Sequence, residues 1–554
     1  MRGNAVKVAA GILSSRLVGF VREALVARYL GVGAHADVYA TALRFPNLLQ
    51  NLLGEQTLSA AFIPSYARMV EEGREEEAGR FAGAIFGLLL AVAGGLALLG
   101  IVLARPLVAL FATGFLQDAA RVAAGEATVD RYALAVAMVR IIFPMAGLLV
   151  LSAWALGILN SHRRFFLPYF APVLWNSTII ATLLWVGSRL VDGGELALGD
   201  RGPLLMALAW GALVGGALQF AVQLPLVARL LRGFRLSFSP RVPGVPRALR
   251  AFGPVLAGRG VVQLAGYVDF FLASLITAGA VSALRFAQAL YVLPISLFAM
   301  SVAAAELPEL SRLAGGDGDE ERRRRVRGGL RQMAFLTVPT LVGYLAFGWL
   351  LVGGVFRRGS FGPQDHWLVW LVLAGYTLGL LPTTASRLLQ NLFYSLEETR
   401  YPARVAMLRV AIGAVLGGTL MLFLDRLPMT GLVAGRPGEQ VLRLGALGLA
   451  LGSMVGAWTE AALLVRQLRR RVPGLGLPWR AAGRMLALAL AAAALAGGLW
   501  WLLPPLPLWA LAATVVGGYA LLYLGASLAL GFPEPRVWLG RMRPGTPGSR
   551  GSRR

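Results

Sequence analysis

Charged residues lie in the first two apolar stretches of the chain, where charge is costly, and five of them are candidates for chemistry. They are Arg16, Arg22, Glu23, Asp37 and Arg44. A charged side chain at mid-membrane costs roughly 2.5–3.5 kcal/mol on insertion scales, so such residues are kept where they bind something or pair with one another. A guanidinium presents its donors in a fork that matches phosphate oxygens. The surplus of arginine therefore predicts a water-filled cationic cavity for a phosphorylated or pyrophosphorylated substrate.

A second interpretation of these residues needs no ligand. Arg22 with Glu23, and Arg44 with Asp37, would form ion pairs that hold helices together, and the remaining charge would lie at the membrane interface. Both interpretations place the five residues within or at the ends of two adjacent helices. The sequence alone leaves the choice open.

Spacing and helix breakers refine the cavity hypothesis. Arg16 and Glu23 are seven residues apart and share one helix face, whereas Arg22 points elsewhere unless the helix bends. Pro46 and Pro64 are expected to break the second span. Membranes tolerate such breaks only where the freed backbone groups find partners or water. The broken span is therefore expected to line the cavity.

The elements that position these residues are predicted membrane spans. The chain has 554 residues, of which 57% are hydrophobic and only 15% are charged, which is too little charge to cover a soluble protein of this size. Apolar runs of about 20 residues, the length needed to cross a bilayer, recur along the chain. We expect an all-α integral membrane protein of about 14 transmembrane helices. The predicted spans are 8–30, 36–66, 81–104, 132–158, 168–189, 204–230, 250–278, 281–303, 330–355, 367–394, 402–424, 441–466, 482–503 and 507–531.

Arginine is concentrated in alternate loops, those that follow the even-numbered spans. The net charge is +25, and positive charge gathers on the cytoplasmic side of membrane proteins. The alternation predicts that both termini are cytoplasmic and that the basic loops contact anionic membrane lipids. No nucleic-acid partner is expected. A cleaved signal peptide is not expected either, because Arg16 and Arg22 interrupt the first apolar run.

A short internal repeat divides the chain. Residues 158–168 resemble residues 392–402, and the terminal prolines of the two segments are 234 residues apart. An offset of six spans preserves orientation, so the halves are expected to be parallel repeats, with chance similarity of two short turns as the alternative. The predicted domains are an N-lobe of spans 1–6 (1–230), a C-lobe of spans 7–12 (231–470), and a C-terminal helix pair, spans 13–14, with a basic tail (471–554).

Several motifs together resemble one family of membrane proteins. They are Ser15-Arg16-x-x-Gly19-Phe20-x-Arg22-Glu23, Pro46-Asn47-Leu48, Ala61-Phe62-x-Pro64, Leu159-Asn160 with Phe165-x-x-Pro168, and Phe393-Tyr394-Ser395. They resemble the MurJ (MviN) family of lipid II flippases, in the multidrug/oligosaccharidyl-lipid/polysaccharide (MOP) exporter superfamily, over essentially the whole chain. The resemblance implies two six-helix lobes in a V-shaped arrangement and a central cavity for a pyrophosphate–sugar headgroup. It also implies that the two C-terminal helices line a groove for a polyprenyl tail.

The resemblance also implies a set of substrate-binding residues. The family usually has arginine at the places of Gln50 and Ala289, so this chain departs from it twice. Arg285 lies one turn before Ala289 on the same helix face and could supply the missing charge, as could Arg259. Pairing of these arginines with Asp269 is the alternative. The implied set is Arg16, Arg22, Glu23, Asp37, Arg44, Asn47, Arg259, Asp269 and Arg285.

The implied function is flipping of lipid II, an undecaprenyl-pyrophosphate muropeptide, to the outer leaflet of the bacterial inner membrane by alternating access. Alternatives are export of another polyprenyl-pyrophosphate-linked glycan and a scaffold that does not transport. A coupling cation is a further candidate partner, and Asp269 a candidate ligand for it. No enzymatic constellation, cofactor or metal site is expected, since the chain has no cysteine and its three histidines are far apart.

Overall fold

Helices make up nearly all the secondary structure of this chain. The computed structural model describes residues 2–192, 195–253, 266–296, 302, 306, 309–310, 312, 319–435 and 441–535. Contacts divide the chain into two compact units. The first comprises Met1–Phe286, Phe356–Leu368 and Gly418–Leu449, and the second Ala287–Val355, Val369–Gly417 and Ala450–Arg554. The predicted lobes, with boundaries at 230 and 470, stay a prediction.

The helices up to residue 230 include four short ones in place of the predicted second span. They are α1 Arg2–Leu30, α2 Ala34–Ala42, α3 Arg44–Leu53, α4 Glu55–Ala61, α5 Ile63–Glu71, α6 Glu75–Val102, α7 Ala104–Phe111, α8 Asp118–Ala123, α9 Arg131–Ser161, α10 Phe166–Phe170, α11 Pro172–Leu190, α12 Arg201–Ala221 and α13 Leu224–Leu230. Between α11 and α12 a small antiparallel hairpin joins β1 Val191–Asp192 to β2 Glu195–Leu196.

The later helices include the longest one in the described chain. They are α14 Val268–Ser274, α15 Ala280–Pro294, α16 Asp319–Phe356, α17 Pro363–Thr377, α18 Leu380–Ser395, α19 Arg400–Leu424, α20 Gly445–Arg471, α21 Trp479–Leu502 and α22 Leu508–Ala529. Short 3₁₀ turns occur at Thr113–Gln117, Leu198–Asp200 and Met429–Gly431.

Many of these helices have the length and composition of membrane spans. Within the described residues, nine helical stretches pass as spans, and ten do if α17 and α18, bent by 41°, count as one. The passing stretches contain α6, α9, α10 with α11, α12 with α13, α16, α19, α20, α21 and α22. The membrane class of the fold is therefore confirmed, whereas the count of about fourteen spans stays a prediction.

The predicted second span is broken, as its prolines suggested. One residue, Leu43, separates α2 from α3, and Gly54 and Phe62 separate the next two pairs of helices. Pro64 occupies the first turn of α5, where its missing N–H costs no helical hydrogen bond. Pro46 lies in the first turn of α3 for the same reason. The prediction that these prolines break the span is confirmed.

The core of the first unit forms around α9. The indole of Trp154 donates a hydrogen bond to the carbonyl of Ala82 on α6 at 3.1 Å. Phe62 stacks between Tyr66 and Phe81, with ring centroids 5.3 and 5.5 Å apart. These aromatic contacts fix the broken span against α6 and α9. They hold in place the helices that carry the charged residues.

The repeated turn has the same backbone geometry in both copies. Arg163 and Glu397, 234 residues apart in the sequence, both have a φ of 58°. In the first copy the amides of Arg163 and Arg164 donate to the carbonyls of Asn160 and Leu159, and Glu397 and Glu398 donate to Tyr394 and Phe393 in the second. Such αL helix endings are uncommon for residues other than glycine. Two matched endings support a true repeat over chance similarity.

The second unit buries the C-terminal helix pair against α16. Tyr519 and Tyr523 on α22 donate hydrogen bonds to the carbonyls of Pro339 and Phe335 at 2.7 and 3.2 Å. Pro339 inside α16 has no N–H, so the carbonyl four residues earlier, that of Phe335, loses its helical partner, and Tyr523 satisfies it. Alanines such as Ala489 and Ala496 on α21 are buried in the same core and allow close helix approach.

Candidate functional site

A buried carboxylate lies between two arginines at the centre of the candidate site. Glu23 on α1 accepts from Arg22 Nη2 at 2.5 Å, and from Arg285 on α15 through Nη2 at 2.8 Å and Nε at 3.0 Å. The Arg285 contact is bidentate, the strongest geometry of an arginine–carboxylate pair. Glu23 is 7% exposed. The three charges sum to +1, so the cluster has cationic charge left after its internal pairing.

Two aromatic rings flank the arginines. The guanidinium carbon of Arg22 lies 4.8 Å from the ring centre of Trp175 on α11, and that of Arg285 lies 4.7 Å from Tyr39 on α2. Ring faces attract cations and lower the cost of taking them out of water. The aromatic contacts explain how the two guanidinium groups tolerate their burial.

Arg22 keeps hydrogen-bond donors that the described residues do not use. Its Nε and Nη1 atoms are buried and form no hydrogen bond within the part of the chain that the structure describes. A buried donor without a partner costs about 1–3 kcal/mol, and more when it is charged. An anion with several oxygens would satisfy these donors. Arg22 is therefore the residue of the cluster best prepared to bind a ligand.

Two charged residues of α1 differ in exposure. Arg16 is exposed, whereas Glu23, expected on the same helix face, is buried. Arg22 was expected to point elsewhere, but its long side chain reaches the carboxylate of its neighbour Glu23. Adjacent residues of a helix point about 100° apart, and the Arg22 side chain, with three methylene groups and a guanidinium, is long enough to compensate for this angle.

Asp37 belongs to a separate buried ion cluster. Its Oδ2 accepts from the amide of Gly279 at 2.7 Å and from Arg131 Nη1 at 3.4 Å, and its Oδ1 accepts from the amide of Ser282 at 2.8 Å. Arg131 also forms a bidentate pair with Asp118. Asp37 therefore caps the first turn of α15, the helix that carries Arg285.

This arrangement differs from the predicted pairing of Asp37 with Arg44. Among the described basic residues, Arg131 is the one that forms an ion pair with Asp37. Arg44 instead lies over the rings of Tyr267 and Phe270, and the hydroxyl of Tyr267 donates to the Arg44 carbonyl at 2.8 Å. The interpretation that paired Arg44 with Asp37 was wrong, because Asp37 pairs with Arg131, which is distant in sequence.

The remaining predicted residues are spread over neighbouring elements. Asn47, one turn after Arg44 on α3, is exposed, and Asp269 is half-buried on α14 beside Phe270. Arg259 lies outside the described residues. The structure thus joins Arg22, Glu23 and Arg285 directly and leaves the other predicted residues in separate surroundings.

Arg16 borders a small polar cavity of the first unit. The cavity has a volume of about 190 Å³, and Ser15, Gln50, Glu55 and Tyr169 also line it. The hydroxyl of Tyr169 bonds Glu55 at 3.5 Å. Gln50, one of the two departures from the family pattern, therefore faces the same space as Arg16. The cavity offers polar groups of both signs.

The second unit contains a larger, mostly apolar cavity. It measures about 530 Å³ and is lined by side chains of α16, α18, α20 and α21, such as Leu381, Ala461 and Trp479, with Arg466 and Arg469 among its walls. An apolar wall with arginines beside it suits a molecule that joins a hydrocarbon chain to an anion.

Sequence reasoning missed two sets of residues. Trp175 and Tyr39, which flank the arginines, carry no charge and gave no signal among the other aromatic residues. In the second unit, the buried carboxylate of Glu460 accepts from Arg409 at 2.7 Å and from Gln390 at 2.9 Å. A search for charged residues on adjacent predicted spans, rather than on one span, would have found Glu460 and Arg409.

The fold and the cluster together define a class. A chain with many apolar helices that buries paired charges within them belongs to the multi-span membrane proteins, in which such charges mark substrate or ion paths. No group of three metal-binding side chains occurs within the part of the chain that the structure describes.

Comparison with known proteins gives the family. The model of the family described as Lipid II flippase MurJ matches residues 26–519, and the chain belongs to this family. A probable lipid II flippase MurJ of Rhizobium tropici is 32% identical over 476 residues, covering 84% of this chain and 80% of the relative. The lipid II flippase MurJ of Burkholderia cenocepacia is 30% identical over 463 residues, covering 83% and 82%. The family and the apolar helices indicate a multi-pass protein of the bacterial inner membrane.

Solved structures agree on the fold. A structure of lipid II flippase MurJ in an inward closed conformation matches with a TM-score of 0.72 at 21% identity, covering 95% of this chain and 98% of that chain. An inward-facing multidrug resistance MATE family transporter of the MOP superfamily matches with a TM-score of 0.62 at 15% identity, covering 85% and 98%. The helical MOP-type fold expected from the sequence is thereby confirmed.

Proposed function

We propose that this chain flips lipid II, the polyprenyl-pyrophosphate-linked peptidoglycan precursor, from the cytoplasmic to the outer leaflet by alternating access. Membership of the MurJ family supports the substrate. The observation that carries the proposal is the Arg22–Glu23–Arg285 cluster, which has a surplus positive charge and buried Arg22 donors that no described residue satisfies. Pyrophosphate supplies several anionic oxygens of the kind that these donors lack.

Substrate binding would replace an internal contact rather than fill an empty space. Glu23 accepts two hydrogen bonds from Arg285 and one from Arg22. A pyrophosphate carries more negative charge than one carboxylate and can bridge both guanidinium groups. It would therefore displace Glu23 and release the tie between α1 and α15. A ligand that breaks this tie binds one conformation in preference to the other, which is what coupling of binding to a conformational change requires.

The two cavities suggest where the rest of the substrate lies. The polar cavity beside Arg16 has hydrogen-bonding groups for part of the sugar–peptide headgroup, and at about 190 Å³ it holds only a part. The apolar cavity of about 530 Å³ in the second unit has the chemistry of a groove for the polyprenyl tail. Each cavity belongs to a single unit, and each assignment rests on the chemistry of that cavity alone.

The proposed transport cycle keeps the predicted topology. The lobes 1–230 and 231–470 would rock about the central substrate cavity. Both termini would lie in the cytoplasm, and the chain would have fourteen spans in total. Asn47, Asp269 and Arg259 stay candidate substrate contacts. Membrane potential or a coupling cation would reset the cycle, since moving one charge is worth about 2.3 kcal/mol per 100 mV.

The proposal is tested with Arg22→Ala and Arg22→Lys in cells depleted of their own lipid II flippase. We expect wild type to restore growth, Arg22→Ala to fail, and Arg22→Lys to fail largely, because an ammonium lacks the planar fork. Arg105→Ala is the matched control, since Arg105 is exposed and lies outside the cluster. Full growth with inserted Arg22→Ala protein would rule out the cluster as the binding site.

Purified full-length protein in lipid vesicles gives the second readout. Wild-type protein should move fluorescent lipid II between leaflets, and Arg22→Ala protein should not. Wild-type protein that leaves lipid II in place but restores surface-polysaccharide export in cells would show another glycan substrate. Wild-type protein that does neither would show a scaffold.

A further inference from the structure

The segment after α13 forms an extended strap against helix α6. Residues 232–237 run past three glycines on one face of α6, so that the carbonyls of Arg232, Arg235 and Ser237 face Gly79, Gly83 and Gly87 in turn. A Cβ added at any of these glycines would overlap the strap backbone. The amide of Ser237 donates to the carbonyl of Gly83 at 3.5 Å. The glycine face is thus occupied by the chain's own backbone.

Large apolar residues occupy alternate positions of the strap. Phe234, Leu236 and Phe238 are 40%, 52% and 55% exposed. The Phe234 ring also meets Phe86 edge-on, with centroids 6.2 Å apart, which ties the strap to α6. Three large apolar side chains at alternate positions of one segment form an exposed apolar patch, which is unfavourable in water.

The charged residues of the segment that carries this patch are all positive. Residues 229–253 contain six arginines and no acidic residue. Arg232 pairs with Glu75 at 3.0 Å, but Arg235 and Arg241 form no ion pair with any residue that the structure describes. Both are exposed. Their charges are available to an external anion.

The strap lies at the level where α6 changes from polar to apolar. This helix begins with Glu75, Glu76 and Glu77, and its apolar run starts at Phe81. From Gly79 to Gly87 the helix rises about 12 Å. The strap follows this rise, from the charged end of a membrane span into its apolar part. Exposed phenylalanine, leucine and arginine at that level match the boundary between lipid headgroups and acyl chains.

We propose that residues 232–241 form a membrane-surface anchor, with Phe234, Leu236 and Phe238 among acyl chains and Arg235 and Arg241 on the phosphates of anionic lipids. The glycine face of α6 fixes the strap at this depth, so anchoring does not require the segment to fold on the membrane. Charge complementarity selects anionic over zwitterionic lipid. The anchor is independent of the substrate cluster around Glu23.

The absence of cysteine from the sequence allows a clean test. Ser239→Cys in the full-length protein gives a unique thiol for an environment-sensitive fluorophore. The labelled protein is placed in nanodiscs of phosphatidylcholine alone or with phosphatidylglycerol. Quenching is measured with aqueous iodide and with nitroxide-bearing lipid. We expect protection from iodide, quenching by the nitroxide lipid, and stronger nitroxide quenching when the nitroxide is carried on phosphatidylglycerol.

The arginines are tested in the same labelled protein. Arg235→Gln with Arg241→Gln is expected to reduce the preference for phosphatidylglycerol roughly tenfold, and high salt should have a similar effect on the unchanged chain. Arg357→Gln with Arg358→Gln removes the same charge from an exposed loop after α16 and should leave the preference intact. Free access of iodide in both lipids would overturn the anchor. A membrane-seated probe with no lipid preference at any salt concentration would overturn the assignment of the arginines to anionic headgroups.

Discussion

The contact between Glu23 and Arg285 should be measurable as a coupling free energy. The perturbations are Glu23→Gln, Arg285→Gln and the double variant. Two hydrogen bonds of 2.8 and 3.0 Å join the side chains, which are 9% and 17% exposed. At an effective dielectric constant of about 20, unit charges about 4 Å apart attract by ~4 kcal/mol. Residual solvent weakens part of this attraction, so we expect a coupling free energy of roughly 2–4 kcal/mol.

The two single variants should differ in cost because Glu23 has a second partner. Arg285→Gln leaves Glu23 paired with Arg22 at 2.5 Å, so the carboxylate stays neutralised. Glu23→Gln leaves two buried cations without a counter-charge. Removing one partner of a buried pair costs about 3–5 kcal/mol, and we expect Glu23→Gln at the upper end of this range and Arg285→Gln below it.

The assay is reversible unfolding of full-length protein in mixed detergent micelles, followed by tryptophan fluorescence. The exposed pair Arg121–Glu126, 3.9 Å apart with side chains 44% and 67% exposed, is the control cycle. Its coupling should be about 0.5 kcal/mol or less. Either of two results would refute the view that Glu23 neutralises both arginines. One is that the two substitutions change the free energy of unfolding additively. The other is that Arg285→Gln lowers this free energy more than Glu23→Gln does.

Two further predictions concern residues outside the cluster. Asp37→Asn should lower the free energy of unfolding by roughly 2–3 kcal/mol, since it removes a carboxylate from Arg131 and weakens the cap of α15, yet titration with inorganic pyrophosphate should show an affinity within about twofold of wild type. A loss of affinity beyond tenfold in folded protein would return Asp37 to the binding site. Arg163→Gly should stabilise the chain by about 1 kcal/mol because its φ is 58°, whereas Arg164→Gly next to it should not, as unfolding in micelles will show.

The sequence predicted those features that depend on local chemistry. Pro46 and Pro64 lie in the first turns of α3 and α5, the helix positions where a proline's missing amide hydrogen costs no hydrogen bond. The repeated turn was visible because an αL helix ending constrains the few residues on either side of it. Apolar runs long enough to span a bilayer predicted the membrane class directly. Transfer of backbone polar groups into a membrane is costly unless they are hydrogen-bonded, as they are in a helix.

The charged contacts were harder to predict, since side chains meet across helices far apart in sequence. One of the two interpretations paired Asp37 with Arg44, seven residues away, but its ionic partner is Arg131. Arg131 follows Asp130 at the start of α9, 94 residues after Asp37. Which arginine reaches a carboxylate depends on helix packing, which periodicity does not determine. The same limit applies to Glu460 and Arg409.

The departure at Ala289 acquires a physical meaning from Glu23. Arg285 lies one turn before Ala289 on α15 and binds a carboxylate through two nitrogens, so the charge that Ala289 lacks is present on the same helix face. A cationic cavity without ligand must keep its arginines solvated or paired while the protein waits for substrate. Glu23 provides that pairing, and under the proposed function it is also the group that a pyrophosphate would displace. If it does, the affinity for substrate is a difference between two strong contacts, which would let a flippase bind a highly charged headgroup and still release it.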